Sequence, residues 1–276
     1  MPIITISRQL GSKGSDIAKL LNKEFNCSYL DKESLEKAFN EYGIPRESVE
    51  RFDEKKPGFW DLFKTDKARY LHYMKGAMLE FARKGNGIIL GRGGQVLLAG
   101  ISGVLHVRIF APLNVRLERI MKQYECDERH AEKIIQGSDS ERAGFHRFFF
   151  GVNWEDINLY ELVINTGSLS CETTIQIIRS IVESEEYKAA EAETSLKLND
   201  LCLEHEIKTA IIYKENLSVQ FLEVQSVQGN VVLGGIVDNS EDLERVDIVS
   251  GKIPGVKSVK NEIYYNPIST AYGLHY

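Results

Sequence analysis

The feature that most restricts what this chain can fold into is a glycine-punctuated break between two apolar segments. Ile3-Ile4-Thr5-Ile6 has the β-branched character of a buried strand. Ser7-Arg8-Gln9-Leu10-Gly11-Ser12-Lys13-Gly14-Ser15-Asp16 follows, and then Ile17, Leu20, Leu21 and Phe25 recur on one helical stripe. A buried strand that turns through glycine into a helix aims backbone N–H groups and the positive helix end at one point, where phosphate oxygens can bind. Taken alone, the segment reads equally as a tight turn needing Gly11 and Gly14 for backbone reasons only.

The pattern then repeats. A long helix is expected from about residue 66 to 84, with Tyr70, Leu71, Met74, Ala77, Met78 and Phe81 facing inward. Gly87–Leu90 and Val104–Phe110 read as strands, and residues 114–123 and 127–136, with a continuation through 138–150, as helical stretches. Leu162–Ile164 is a strand and residues 171–183 a last helix. Short buried strands alternating with helices predict an α/β fold, a parallel sheet covered on both faces. Trp154 with Phe145, Phe148, Phe149 and Phe150 reads as core or lid packing in preference to a ligand cage.

Composition narrows the function classes. The net charge of −6 argues against a nucleic-acid partner, which usually meets a basic face. No stretch has the apolar length of a membrane span, and no apolar leader opens the chain, so a cytoplasmic protein is expected. Cys27, Cys126, Cys171 and Cys202 form no CxxC pair and read as reduced thiols. The histidines lack metal-ligand spacing, so no metal site is expected apart from magnesium carried with a nucleotide.

A complete GxxxxGK[ST] loop is absent. Aligning Gly11-Ser12-Lys13-Gly14 by its flanking strand and helix puts Gly14 where the lysine normally stands, with Lys13 one place early. That lysine neutralises charge on the transferring phosphate, so Lys13, or an arginine such as Arg8, has to take its role. Ser15 or Ser12 then supplies the magnesium-side hydroxyl.

The opening ITISRQLGSKGSDIAKLL resembles the cytidylate-kinase-like branch of P-loop kinases, in which a GSGG-type turn often replaces the lysine-bearing loop. Tyr29-Leu30-Asp31-Lys32-Glu33 is similar to the acidic motif after the first helix, and Gly87-Ile88-Ile89-Leu90-Gly91-Arg92-Gly93 to a strand ending in Gly-Arg. VRIFAP at 107–112 with Arg116 and Arg119, then Asp139, Arg142 and YELVINT at 160–166, complete the resemblance from residue 3 to about 183. It implies a three-layer P-loop nucleotide-kinase fold. It also implies Mg-ATP on Gly11, Ser12, Lys13, Gly14, Ser15 and Asp16, with Lys13, Arg116 and Arg142 as catalytic cations. The acceptor side would be Asp31, Arg92 and Asp139. Each of these has a plainer reading: Arg116 and Arg119 as a solvated helix face, and Asp139 with Arg142 as a surface pair. Cytidylate kinases place Asp after the Gly-Arg pair to read cytosine; here Gly93 stands there.

Beyond Glu183 the composition turns polar and acidic (ESEEYKAAEAET), which sets expected boundaries at 1–184, a linker at 185–196, a second module at 197–266 and a tail at 267–276. The second module reads α-β-β-α-β: Leu198–Tyr213, Leu217–Val227, a Gln228-Gly229-Asn230 turn, Val231–Val237, a helix capped by Asn239 or Ser240, and Val256–Tyr265. Its PGVKSVKNE run, 254–262, resembles the BON domain, a small α/β fold for which lipid or ligand binding is proposed. The module is expected to serve binding, oligomerisation or partner contact. The leading expectation is an ATP-dependent kinase acting on a CMP- or dCMP-like monophosphate. The alternative is a non-catalytic nucleotide sensor that passes its bound state to the second module.

Overall fold

The computed structural model describes residues 2–41 and 64–267, so the expected tail lies outside the described residues except for residue 267. Two compact units divide the chain at Thr194 and Ser195. The first is built on five parallel strands in the order β2-β3-β1-β4-β5: β1 Ile3–Arg8, β2 Ser28–Leu30, β3 Gly87–Leu90, β4 Val104–Phe110 and β5 Leu162–Asn165. β1 lies at the centre, paired in register with β3 (Ile6 opposite Leu90) and β4 (Arg8 opposite Ile109). All side chains from Ile3 to Ser7 are buried, as a doubly covered central strand requires.

Helices α1 (Gly14–Phe25), α2 (Lys32–Glu41), α3 (Lys64–Arg83), a single turn α4 (Gly94–Leu97), α5 (Leu113–Tyr124), α6 (Glu128–Phe150) and α7 (Cys171–Val182) complete the unit. Ile17, Ala18 and Leu21 of α1 join Ile4, Ile6, Ile88, Val107, Ile109, Ile164, Ile175 and Ile178 in one core. Leu20, expected on that stripe, is instead 43% exposed, because it falls off the face that Ile17, Ala18 and Leu21 set. The stretches 127–136 and 138–150 form one helix. Gly137 sits at its middle with open space around it, and burial of Ala131 and Ile135 on one side and Phe145 and Phe149 on the other outweighs the roughly 1 kcal/mol that glycine costs there. Asp127 caps this helix, its side chain accepting from His130 N. Strand β2 and helix α2, which periodicity alone does not separate, follow the first helix in quick succession.

Residues 185–194 belong to a continuous helix α8, Glu185–Thr209, that bridges the boundary between the units. Within the first unit, Thr194 Oγ1 donates to Ser102 O and Tyr187 packs against the core. The second unit continues through a π-helical turn, Ala210–Lys214, to an antiparallel hairpin, β6 Gln220–Val227 and β7 Asn230–Val237, then α9 Ser240–Gly251 and β8 Ser258–Tyr265. β8 lies parallel to β7, giving the order β6-β7-β8. Its core is its own: Leu203, Ile207, Ile211, Leu217, Val224, Val231, Leu233, Val237, Val246 and Ile263. Among the described residues no helix is long and apolar enough to cross a membrane.

We propose that the two units are separately folding domains. The fragment 195–276 is therefore expected to show its own cooperative thermal transition by circular dichroism, since its core draws only on residues it contains. A fragment with no transition would contradict this.

Candidate functional site

The carboxyl ends of β1, β2 and β3 lie side by side, where a parallel sheet places its ligands. β1 ends in Ser7-Arg8 and gives way to the turn 9–13, and α1 begins at Gly14. Every carbonyl from Arg8 to Ser12 has a donor. Arg142 Nη1 donates to Arg8 O at 2.9 Å and Ser12 Oγ to Gln9 O at 2.8 Å. Arg116 Nη1 lies 3.4 Å from Leu10 O, Arg119 Nη1 donates to Gly11 O at 3.0 Å, and Thr166 Oγ1 to Ser12 O at 2.7 Å. Carbonyl and N–H of one peptide point opposite ways, so donors on Gln9 O, Leu10 O and Ser12 O turn the N–H groups of Leu10, Gly11 and Lys13 the other way, toward a ligand. Gln9 N instead donates to Ile109 O at 3.0 Å, and Ser12 N lies 3.4 Å from Gln9 O.

Two conformational details tighten the turn. Gly11 has φ +77°, and a Cβ there would sit 3.1 Å from Arg116 Cβ, so α5 approaches its backbone directly. Lys13 adopts φ 59°, a left-handed conformation that costs a non-glycine residue about 1–2 kcal/mol. Its side chain is exposed, and its charge is felt by Cys171 and Glu172 at the start of α7. Burial pushes the Cys171 thiol up, with the Lys13 cation opposing it. Ser12 is buried and also donates to Ile109 O at 3.1 Å, so its hydroxyl serves the turn. Ser15 and Asp16 stand in the first turn of α1, where a carboxylate complements the helix end.

Arg8 fills the space over Gly14. A Cβ at Gly14 would collide with Arg8 Cβ and lie 3.0 Å from its Cγ. Arg8 Nε is 3.4 Å from Ser15 Oγ, and Nη1 lies 2.5 Å from where a Cβ on Gly91 would be. Burial pushes Tyr29 in the middle of β2 up to about 12, against the opposing pull of the Arg8 cation.

The turn after β3 is strained as well. Gly91, Arg92 and Gly93 are all left-handed, at φ 76°, 56° and 74°. Arg92 is buried with its guanidinium 5.5 Å from the centre of the Phe145 ring. A side chain at Gly93 would run into the edge of the Phe150 ring, so an aromatic group covers the place where the resemblance puts an aspartate. Asp31 caps α2, its Oδ1 accepting from Ser34 N at 3.0 Å. Asp139 faces Arg116 across α5 and α6, with Nη1 to Oδ2 at 2.6 Å. Its Oδ1 and Arg116 Nε are buried without a hydrogen-bond partner among the described residues. Arg116 is thus buried and paired, and the solvated-face reading does not hold for it.

Beneath the turn runs a buried polar network that sequence reasoning missed. Trp154 Nε1 donates to Ser7 Oγ at 2.7 Å, and Tyr160 Oη to Trp154 O at 3.0 Å. Gln95 Nε2 is 2.9 Å from His146 Nε2, and His146 Nδ1 is 2.8 Å from Arg142 O. Arg108 donates to Trp154 O at 2.6 Å and stacks 4.4 Å over the Trp154 ring. The available signal was two polar residues inside a mostly apolar strand, His106 and Arg108 in VLHVRIF. This network fixes Ser7, immediately before Arg8, and the backbone of Arg142, whose guanidinium holds Arg8 O.

A model of the cytidylate kinase-like family matches residues 3–168, and a BON domain model matches residues 199–267. A cytidylate kinase of Methanocaldococcus jannaschii is 25% identical over 186 residues, covering 66% of this chain and 98% of that protein. A uronate isomerase of Corynebacterium glutamicum is 36% identical over 98 residues, which is 36% of this chain; the chain spans only 18% of that protein's length. A crystal structure of an uncharacterized protein from Eubacterium ventriosum is 20% identical with a TM-score of 0.52, covering 67% of this chain and all of that one, which supports the fold.

Because Phe150 occupies the space beside Gly93, Gly93→Asp is expected to lower unfolding free energy by about 2–4 kcal/mol in urea titrations. Phe150→Ala in the same chain should recover part of that loss. A Gly93→Asp protein as stable as the wild type would show that the ring yields freely.

Proposed function

The chain belongs to the cytidylate kinase-like family, and we propose that it transfers a phosphoryl group from Mg-ATP to a nucleoside monophosphate. The observation that carries this reading is the outward locking of the carbonyls of Gln9, Leu10 and Ser12, which leaves the N–H groups of Leu10, Gly11 and Lys13 and the start of α1 to take phosphate oxygens. Gly11, Ser12, Lys13, Gly14, Ser15 and Asp16 form that cradle, with the Ser15 hydroxyl on the magnesium side. Asp31 and Arg92, at the ends of β2 and β3, face the acceptor. An oxygen of the monophosphate forms a bond to the γ-phosphorus as the bond to the β–γ bridging oxygen breaks, leaving ADP and a nucleoside diphosphate. Such a loose transition state is stabilised chiefly by placed cations.

Arg116, Arg119 and Arg142 act first on the backbone. By holding Leu10 O, Gly11 O and Arg8 O they keep the turn in its phosphate-facing shape, and Asp139 orients Arg116. CMP and dCMP are the first acceptors to test. With Gly93 in place of a carboxylate and Phe150 over it, base recognition here rests on aromatic contact, so discrimination against other monophosphates is expected to be weak. We propose the BON domain as a binding or oligomerisation module behind the kinase unit.

Millimolar Mg-ATP is expected to raise the melting temperature of the wild type. Gly14→Val should abolish that shift, since the new side chain collides with Arg8. A labelled-ATP assay across nucleoside monophosphates should find at least one phosphorylated. Arg142→Ala, which releases Arg8 O, should lower kcat/KM for ATP on the order of a hundredfold, with part of the loss appearing as weaker ATP binding. ATP binding without turnover on any acceptor, coupled to a change in exposure or assembly of residues 195–276, would replace the kinase by a nucleotide sensor.

A further inference from the structure

We infer that Arg8 is the phosphate-facing cation of this site, supplying from the end of β1 the charge that the standard loop takes from a lysine at position 14. The inference rests on the kinase reading above and names the group that reading leaves unassigned.

Three observations converge on it. First, Arg8 and a side chain at 14 compete for one volume: a Cβ on Gly14 would collide with Arg8 Cβ and come within 3.0 Å of Cγ. The stem of Arg8 therefore lies over the start of α1, where a position-14 lysine would begin. Second, the guanidinium reaches both sides of the transfer. Nε is 3.4 Å from the Ser15 hydroxyl on the donor side, and Nη1 lies against Gly91 in the turn that carries Arg92 on the acceptor side. A group passing from one turn to the other passes this cation. Third, Arg8 is held at both ends of its backbone. Arg142 Nη1 donates to its carbonyl at 2.9 Å, and Ser7 before it is fixed by Trp154. A cation placed in advance does not have to be reorganised as charge moves, which is where such groups gain most of their effect.

Lys13 is placed differently. It is exposed, caps α1 in a left-handed conformation, and its charge acts on Cys171 and Glu172 of α7. The planar fork of arginine also suits a position between two phosphates, because it offers several N–H donors at once.

The test uses the full-length protein. Arg8→Gln keeps the methylene stem over Gly14 and removes the charge. It should lower kcat on the order of a hundredfold and raise KM for ATP about tenfold. It should also reduce the preference for Mg-ATP over Mg-ADP in calorimetric binding by about tenfold, since a γ-phosphate contact is lost. Arg8→Ala/Gly14→Lys, which exchanges the two arrangements, should regain at least about tenfold in turnover over Arg8→Ala. Arg8→Gln with wild-type kcat and an unchanged ATP-to-ADP ratio would overturn the assignment. If the wild type phosphorylates no monophosphate, the kinase reading falls, and the ATP-to-ADP ratio still decides whether Arg8 meets the terminal phosphate. Should Arg8→Gln fail to fold, Arg8→Lys read by the same ratio decides: a preserved ratio supports a charge contact, and one that falls to unity overturns it, because a lysine from β1 still carries the charge.

Discussion

The site depends on where the backbone carbonyls of residues 8–12 are sent. A glycine-rich turn has no intrinsic preference for presenting N–H groups inward, since its peptides can flip at little cost. Here the choice is made from outside the turn, by Arg142, Ser12, Arg116, Arg119 and Thr166, drawn from α6, the turn itself, α5 and the end of β5. Each donor spans a large separation in sequence except Ser12. The turn is thus shaped by the assembled sheet and helices, and it exists in working form only when they are in place.

This explains how much of the molecule was legible in its sequence. The alternation of strands and helices follows from local periodicity, and β1, β3 and β4 lie where their apolar runs place them. The strand-turn-helix context of residues 3–25 also lies where β1, the glycine turn and α1 are found. What periodicity could not supply were pairings between distant polar residues. Gln95 with His146, Trp154 with Ser7 and Arg116 with Asp139 are 51, 147 and 23 positions apart. Apart from Trp154, which lies in a turn, each member alone looks like an ordinary polar residue on a helix or strand. The continuation of the helix from 127–136 through 138–150 was legible, and burial on both sides of Gly137 carries the single helix Glu128–Phe150 across it.

Backbone strain is present in the same region, as it is at six other described non-glycine positions with positive φ. Lys13 and Arg92 are non-glycine residues in left-handed conformations, one at the start of α1 and the other after β3. Each costs roughly 1–2 kcal/mol and persists because its surroundings determine it. Arg92 is buried against Phe145 between two glycines that share its handedness, so its guanidinium is directed by the backbone as much as by packing. The two strained positions flank the gap that Arg8 spans.

The shared volume of Arg8 and Gly14 has a consequence for how such a loop can change over generations. Starting from this chain, a lysine at 14 meets an occupied space, and loss of Arg8 alone leaves the gap without its cation. Neither single step is neutral, so the two arrangements are separated by a valley that requires paired substitutions to cross. A lineage that has settled on the glycine form is held there by geometry, even where selection on catalysis would favour either form equally.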